Sequence, residues 1–111
     1  MASFKNASMT ITTANQDQEL FECSASIRSS IVHALYIANT GEETITVSVK
    51  FFDKSANNNN GLYRFIVKNA LVYKTTTLVV DKVLNLEPQD KVFINASSTD
   101  CDITASVLEM E

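Results

Sequence analysis

The sequence predicts an all-β fold: a single antiparallel β-sandwich, jelly-roll or Ig-like, of about eight or nine short strands. Three observations predict it. Short apolar runs rich in Val, Ile and Thr recur along the chain at the spacing of roughly 8–12 residues that sandwiches show. Turn signals separate them, among them Asn39-Thr40-Gly41, Asn57 to Gly61 and Glu87-Pro88-Gln89-Asp90. No segment longer than a turn repeats its apolar residues with a helical period. The 111 residues fit one domain, with residues 1–19 able to form an extended N-terminal arm.

The elements follow from the period. Met9 to Thr12 alternates and reads as a first strand, closed by the polar stretch Asn15 to Glu19. Leu20 to Ala25 is a weaker second strand, and Ser26 to Ser30 a connector. Ile31 to Ala38 is apolar on both parities, which predicts cover on both faces by the fold or by another subunit. Asn39 to Glu42 is a turn, since Asn and Gly accept positive φ at little cost.

Thr44 to Phe52 alternates cleanly, with Ile45, Val47, Val49 and Phe51 on one face and Thr46, Ser48 and Lys50 on the other. An antiparallel hairpin is expected between the strands flanking Gly41. The run Asn57 to Asn60 before Gly61 makes an exposed tip. Beyond it, Leu62 to Asn69 groups Tyr63, Phe65 and Val67 on one side. Thr75 to Val80 and Val83 to Leu86 follow. Pro88 sets the φ of a turn that should close a second hairpin. Lys91 to Ala96 points Val92, Ile94 and Ala96 inward, and Ile103, Ala105 and Val107 mark the last strand.

Composition narrows the function. Net charge is −4 with no basic cluster, which argues against nucleic acid as a partner. No apolar run approaches the ~20 residues of a membrane helix, so no membrane partner is expected. The start, Met1-Ala2-Ser3-Phe4-Lys5-Asn6, lacks the pattern of a signal peptide, and folding in a cytoplasm is expected. Cys23 and Cys101 fit no zinc or redox spacing and read as small buried hydrophobes, with a disulfide between them as the lesser alternative.

Catalytic and metal chemistry finds no pattern. His33, the one histidine, has no base or ligand partner at a readable spacing and reads as a satisfied or interfacial residue. Asp100, Asp102, Glu109 and Glu111 lack the spacing of a calcium loop. Glu19, Glu22, Glu42 and Glu43 lie in polar connectors, where acids are ordinarily solvated. With two glycines in the chain there is no phosphate-binding loop or nucleophile elbow. No enzyme activity and no cofactor are expected. Most aromatics should be core. Tyr36 and Phe52 have the parity opposite to the inward residues of their strands, and with His33, Asn58 and Asn59 they are the candidate contact residues. Exposed aromatics also occur in carbohydrate-binding modules, usually with tryptophan, which this chain lacks.

Four segments carry a resemblance to a known group of proteins. They are Leu35-Tyr36-Ile37-Ala38-Asn39-Thr40-Gly41, the strand Thr46 to Asp53, Leu84 to Val92, and Ile103 to Glu109. From Ala34 onward the chain resembles small all-β proteins encoded among bacteriophage structural genes, with Gln89 where such proteins commonly place glycine. The first thirty residues carry no such likeness. The resemblance implies a virion component assembled in host cytoplasm. The expected role is a capsid decoration (cement) protein that joins the major capsid protein or other virion proteins as a homo-oligomer. A neck, tail or tail-fibre component and a glycan-binding sandwich are the alternatives. The polar N-terminal segment could add a strand to a neighbour.

Overall fold

The computed structural model describes residues 2–111. Nine strands form two antiparallel sheets: β1 (Ala2–Thr10), β2 (Gln18–Glu22), β3 (Ser29–Asn39), β4 (Ile45–Asp53), β5 (Leu62–Val72), β6 (Thr77–Val80), β7 (Leu84–Leu86), β8 (Lys91–Ala96) and β9 (Cys101–Met110). A one-turn element, α1 (Ala56–Asn59), caps the β4–β5 connection. The first sheet runs β1-β9-β3-β6, with β7 also on β3, and the second runs β2-β8-β4-β5. The all-β sandwich expected from the sequence is what the chain forms.

The inner faces meet as the alternation requires. Val92, Ile94 and Ala96 of β8 and Val47 and Val49 of β4 are buried against Ile103, Ala105 and Val107 of β9 and Val32, Leu35 and Ile37 of β3. Each large aliphatic side chain taken wholly out of water contributes about 1.5–3 kcal/mol. Ile11, just past β1, is 1% exposed and belongs to this core.

The chain changes sheet at most of its turns, and this overturns both expected hairpins. β3 and β4 flank Gly41 but lie in different sheets, and so do β7 and β8 around Pro88. Local turn chemistry reverses the chain in either case; what selects the layer is tertiary. At the first turn it is Asn39, 2% exposed. Its side-chain amide donates to the carbonyls of Glu43 (2.7 Å) and Val72 (2.9 Å), and its Oδ1 accepts from the Gly41 N–H (3.0 Å). One side chain on β3 thereby holds the entry to β4 and the end of β5, both in the other sheet.

Three further features have local causes. β1 begins at Ala2, well before Met9, because nine residues pair in register with β9 from Ala2↔Met110 to Thr10↔Asp102. Its outer residues are polar and carry no period, so the strand was invisible to alternation. β3 contains an irregularity between Val32 and Ala34. The extra residue there is His33, so Val32 faces in on one parity and Leu35 and Ile37 on the other. Much of the two-sided apolar character of Ile31 to Ala38 is this change of phase. Finally, Asn57, Asn58 and Asn59 have φ of 56°, 56° and 66°. Three successive left-handed residues explain the asparagines, since Asn tolerates that region better than other side chains.

Candidate interaction surface

The five candidate contact residues fall in two places. Tyr36 and His33 are exposed on the outer face of the first sheet, where His33 lies 6.3 Å from the Phe4 ring between centroids. His33 does not share a face with Leu35 and Ile37 as the plain alternation implied, because it is the inserted residue. Phe52 faces outward on the opposite side of the molecule, half-buried, on β4 of the second sheet. Asn58 and Asn59 are exposed at the tip beyond it. Phe52 and the tip are joined through Gly61, whose φ is +89° and where an added Cβ would lie 2.2 Å from the Phe52 ring. The structure thus brings Phe52 and the asparagine tip together and leaves Tyr36 and His33 on the far face.

The outer face of the second sheet holds more than the sequence revealed. Tyr63 and Phe65 were grouped with inward Val67, but they are 58% and 48% exposed. Register shifts between Val47 and Lys50 place Ile66 as an extra residue on β5, so Tyr63 and Phe65 pair with outward Phe52 and Lys50 while Val67 pairs with buried Val49. Phe93, between buried Val92 and Ile94, joins them. Ring centroids are 4.9 Å apart for Phe52–Tyr63 and 5.6 Å for Tyr63–Phe93, both tilted pairs of the favourable kind.

Register turns this face into two cross-strand rows. One runs Glu19, Phe93, Lys50, Phe65; the next runs Glu22, Lys91, Phe52, Tyr63. Cations sit among the rings: the Lys50 and Lys68 ammoniums lie 5.3 and 5.2 Å from the Phe65 centroid, within cation–π reach. Lys50 also donates to Asp17 Oδ2 at 2.9 Å, and Asn95 donates to Asp17 Oδ1 at 2.9 Å. Burial pushes the Asp17 carboxyl up, but the bonds from Asn95 and Lys50 together outweigh it and hold the carboxyl below its ordinary value.

β5 is one of the two edges of this sheet and is rich in exposed apolar side chains. Leu62, Tyr63, Phe65, Ile66 and Leu71 are all exposed on it. A long edge strand with large apolar side chains is a surface other chains pair with.

Elsewhere the polar groups are structural. Among the described residues, the one set of three carboxylates within 4.8 Å is Asp53, Glu87 and Asp90, not the acids near Cys101. Asp90 is buried, and its two oxygens accept from the N–H groups of Lys54 and Glu87 at 2.9 Å each, tying the β4 exit to the turn before β8. Between the sheets lies an apolar cavity of about 160 Å³ whose mouth carries Ile66, Val83 and Lys82. Lys82 is its one titratable group, so no acid–base pair converges there. Cys23 and Cys101 are buried free thiols. Burial, aided by the nearby Asp102 charge, pushes Cys101 up to about 11, and burial also raises Cys23. Both thiols therefore stay protonated and inert at neutral pH.

No protein-family model matches the sequence, and no curated protein matches it. Solved structures do match the fold. One is the viral particle of infectious bursal disease virus (IBDV) described as T13, with TM-score 0.59 at 11% identity over 99% of this chain and 31% of that one. Another is the Gx strain of the same virus, with TM-score 0.59 at 10% identity over 99% of this chain and 33% of that one. The VP2 subviral particle of that virus gives TM-score 0.56 at 12% identity over 100% and 33%. The chain spans about a third of the length of these viral chains. At such identities the likeness is one of architecture: a similar fold occurs within chains of those virus particles.

Proposed function

We propose that this protein is a non-enzymatic structural component of a virion, acting through its outer sheet faces on other virion proteins and on copies of itself. The observation that carries the reading is the placement of its large apolar side chains. Phe4, Tyr36, Tyr63, Phe65 and Leu71 stand outside, while the interior cavity lacks converging polar groups. Exposed apolar surface of this extent serves contact, whereas catalysis needs polar groups aimed at one point. The shared fold with chains of infectious bursal disease virus particles supports a virion setting. The finer reading is a bacteriophage head decoration protein, where many copies add weak contacts by avidity.

Immunogold labelling and cryo-imaging of particles from cells that make the protein test this. Repeated label or density on the head is expected. Label confined to the tail would replace decoration with a tail role, and unlabelled particles would overturn the virion reading. A second reading, glycan binding, draws on the exposed Tyr63–Phe65 platform, since aromatic faces stack on sugars. Binding on a glycan array with no binding to particles would favour it.

A further inference from the structure

The two edges of the second sheet differ in charge. β2, Gln18–Glu22, carries Glu19 and Glu22 with no cation. β5, Leu62–Val72, carries Arg64 and Lys68 with no acid. Neither edge hydrogen-bonds a further strand among the described residues. Among those residues Arg64 and Lys68 also make no ion pair, and Glu22 makes none. Two β5 edges brought together would gather the Arg64 and Lys68 of both copies in one seam with no acid, and like charges brought together are destabilising. An acidic strand relieves that conflict.

The direction of the strands also fits. β2, β8, β4 and β5 are each antiparallel to the next, so β2 and β5 run in opposite directions. A second copy in the same orientation therefore presents its β2 antiparallel to the first copy's β5. With the outer rows in line, Glu22 falls beside Tyr63 and Glu19 beside Phe65, whose face also carries Lys68, while Arg64, paired with inward Phe51, adds its charge to the same edge from the other face. The outer rows also continue, because each ends in an acid on β2 and an aromatic on β5.

We propose that copies of this chain join head to tail, the β2 edge of one adding to the β5 edge of the next as one continuous antiparallel sheet. Such a heterologous contact uses two different patches and closes into a ring or runs on as a filament. It also covers the exposed apolar edge that a lone copy leaves open. The contact builds on the virion reading above but is read with purified protein and no particles, so the two can fail separately.

Sedimentation velocity across a concentration series tests the contact. The full chain should form oligomers, either one closed size or a growing series, that weaken as salt rises. Arg64→Glu with Lys68→Glu should weaken association at least about tenfold, and so should Glu19→Lys with Glu22→Lys, since either change sets like charges across the joint. Mixing the two double variants should restore assembly, because each now complements the other. Melting of each variant checks that it is folded, and a quadruple variant carrying both swaps should assemble alone. A monomeric full chain, or double variants that associate like the parent, would overturn the contact. So would loss of assembly by Tyr36→Ser on the opposite face with the edge variants unaffected.

Discussion

Asn39 shows how one side chain directs the chain between layers. Its three hydrogen bonds are closed inside the protein, so removing the amide strands two carbonyls and an N–H. Asn39→Ala should cost about 2–3 kcal/mol in urea denaturation, with an unchanged slope. A loss under ~0.5 kcal/mol would mean that water takes over those bonds. Gln89 is the opposite case. It follows Pro88 with φ of 72°, and Asp90 N–H donates to Glu87 O at 3.0 Å, the pattern of a type II turn with glutamine where glycine fits best. Gln89→Gly should therefore stabilise by about 0.5–1 kcal/mol, measured as a rise in melting temperature, while Gln89→Ala should not. The sequence made both turns visible, Pro88 and Asn39 being strong local signals. It could not show that Asn39 reaches Val72, because that bond spans thirty-three positions and depends on the finished fold.

At the scale of elements, alternation was legible in the core strands that have no extra residue. β4, β8 and β9 face as their patterns required. β3 and β5 did not, because His33 and Ile66 shift the phase and no residue type announces an irregularity of that kind. The same shift hid half of the contact surface: Phe52 was readable from β4, whereas Tyr63 and Phe65 needed the register of β5. Asp17 belongs at this scale, since it pins the β1–β2 connection to Lys50 of β4 and Asn95 of β8. Its folded carboxyl sits below the unfolded value, so its stabilisation is complete above the unfolded value of 3.8 and is lost as pH falls through the lowered folded value. Asp17→Asn should cost about 0.5–1 kcal/mol near pH 7, the range of a surface ion pair, and that difference should be smaller at about pH 3, below the unfolded value. Paired chemical denaturation curves at the two pH values read this directly. A difference that persisted undiminished in acid would assign the effect to side-chain shape instead of charge.

The whole molecule depends on sheet order, which no local pattern contains. Every strand but a few is followed by one in the other sheet, so the order is set by which buried faces fit once all nine exist. β1 illustrates the consequence. Its first five residues are exposed and, apart from Ala2 and Phe4, polar, and they read as an arm. The next part is different: Ala7 and Met9 pack on the core, and Ile11 is inside it. Truncation should therefore be graded. Deleting residues 2–6 removes exposed side chains, the 3.7 Å Lys5–Glu109 pair and half of the ladder to β9, and should cost about 1–2 kcal/mol. Deleting residues 2–12 also removes Ala7, Met9 and Ile11 and strips β9 of one of its two neighbours, leaving β3 alone beside it. The loss of a buried isoleucine alone costs about 2–5 kcal/mol, a large share of the 5–15 kcal/mol that holds a domain folded. The longer deletion should thus melt far lower than the shorter one or fail to fold, as calorimetry would show. Similar melting of the two would mean that the segment from Ala7 to Ile11 contributes nothing to the core and is an arm throughout.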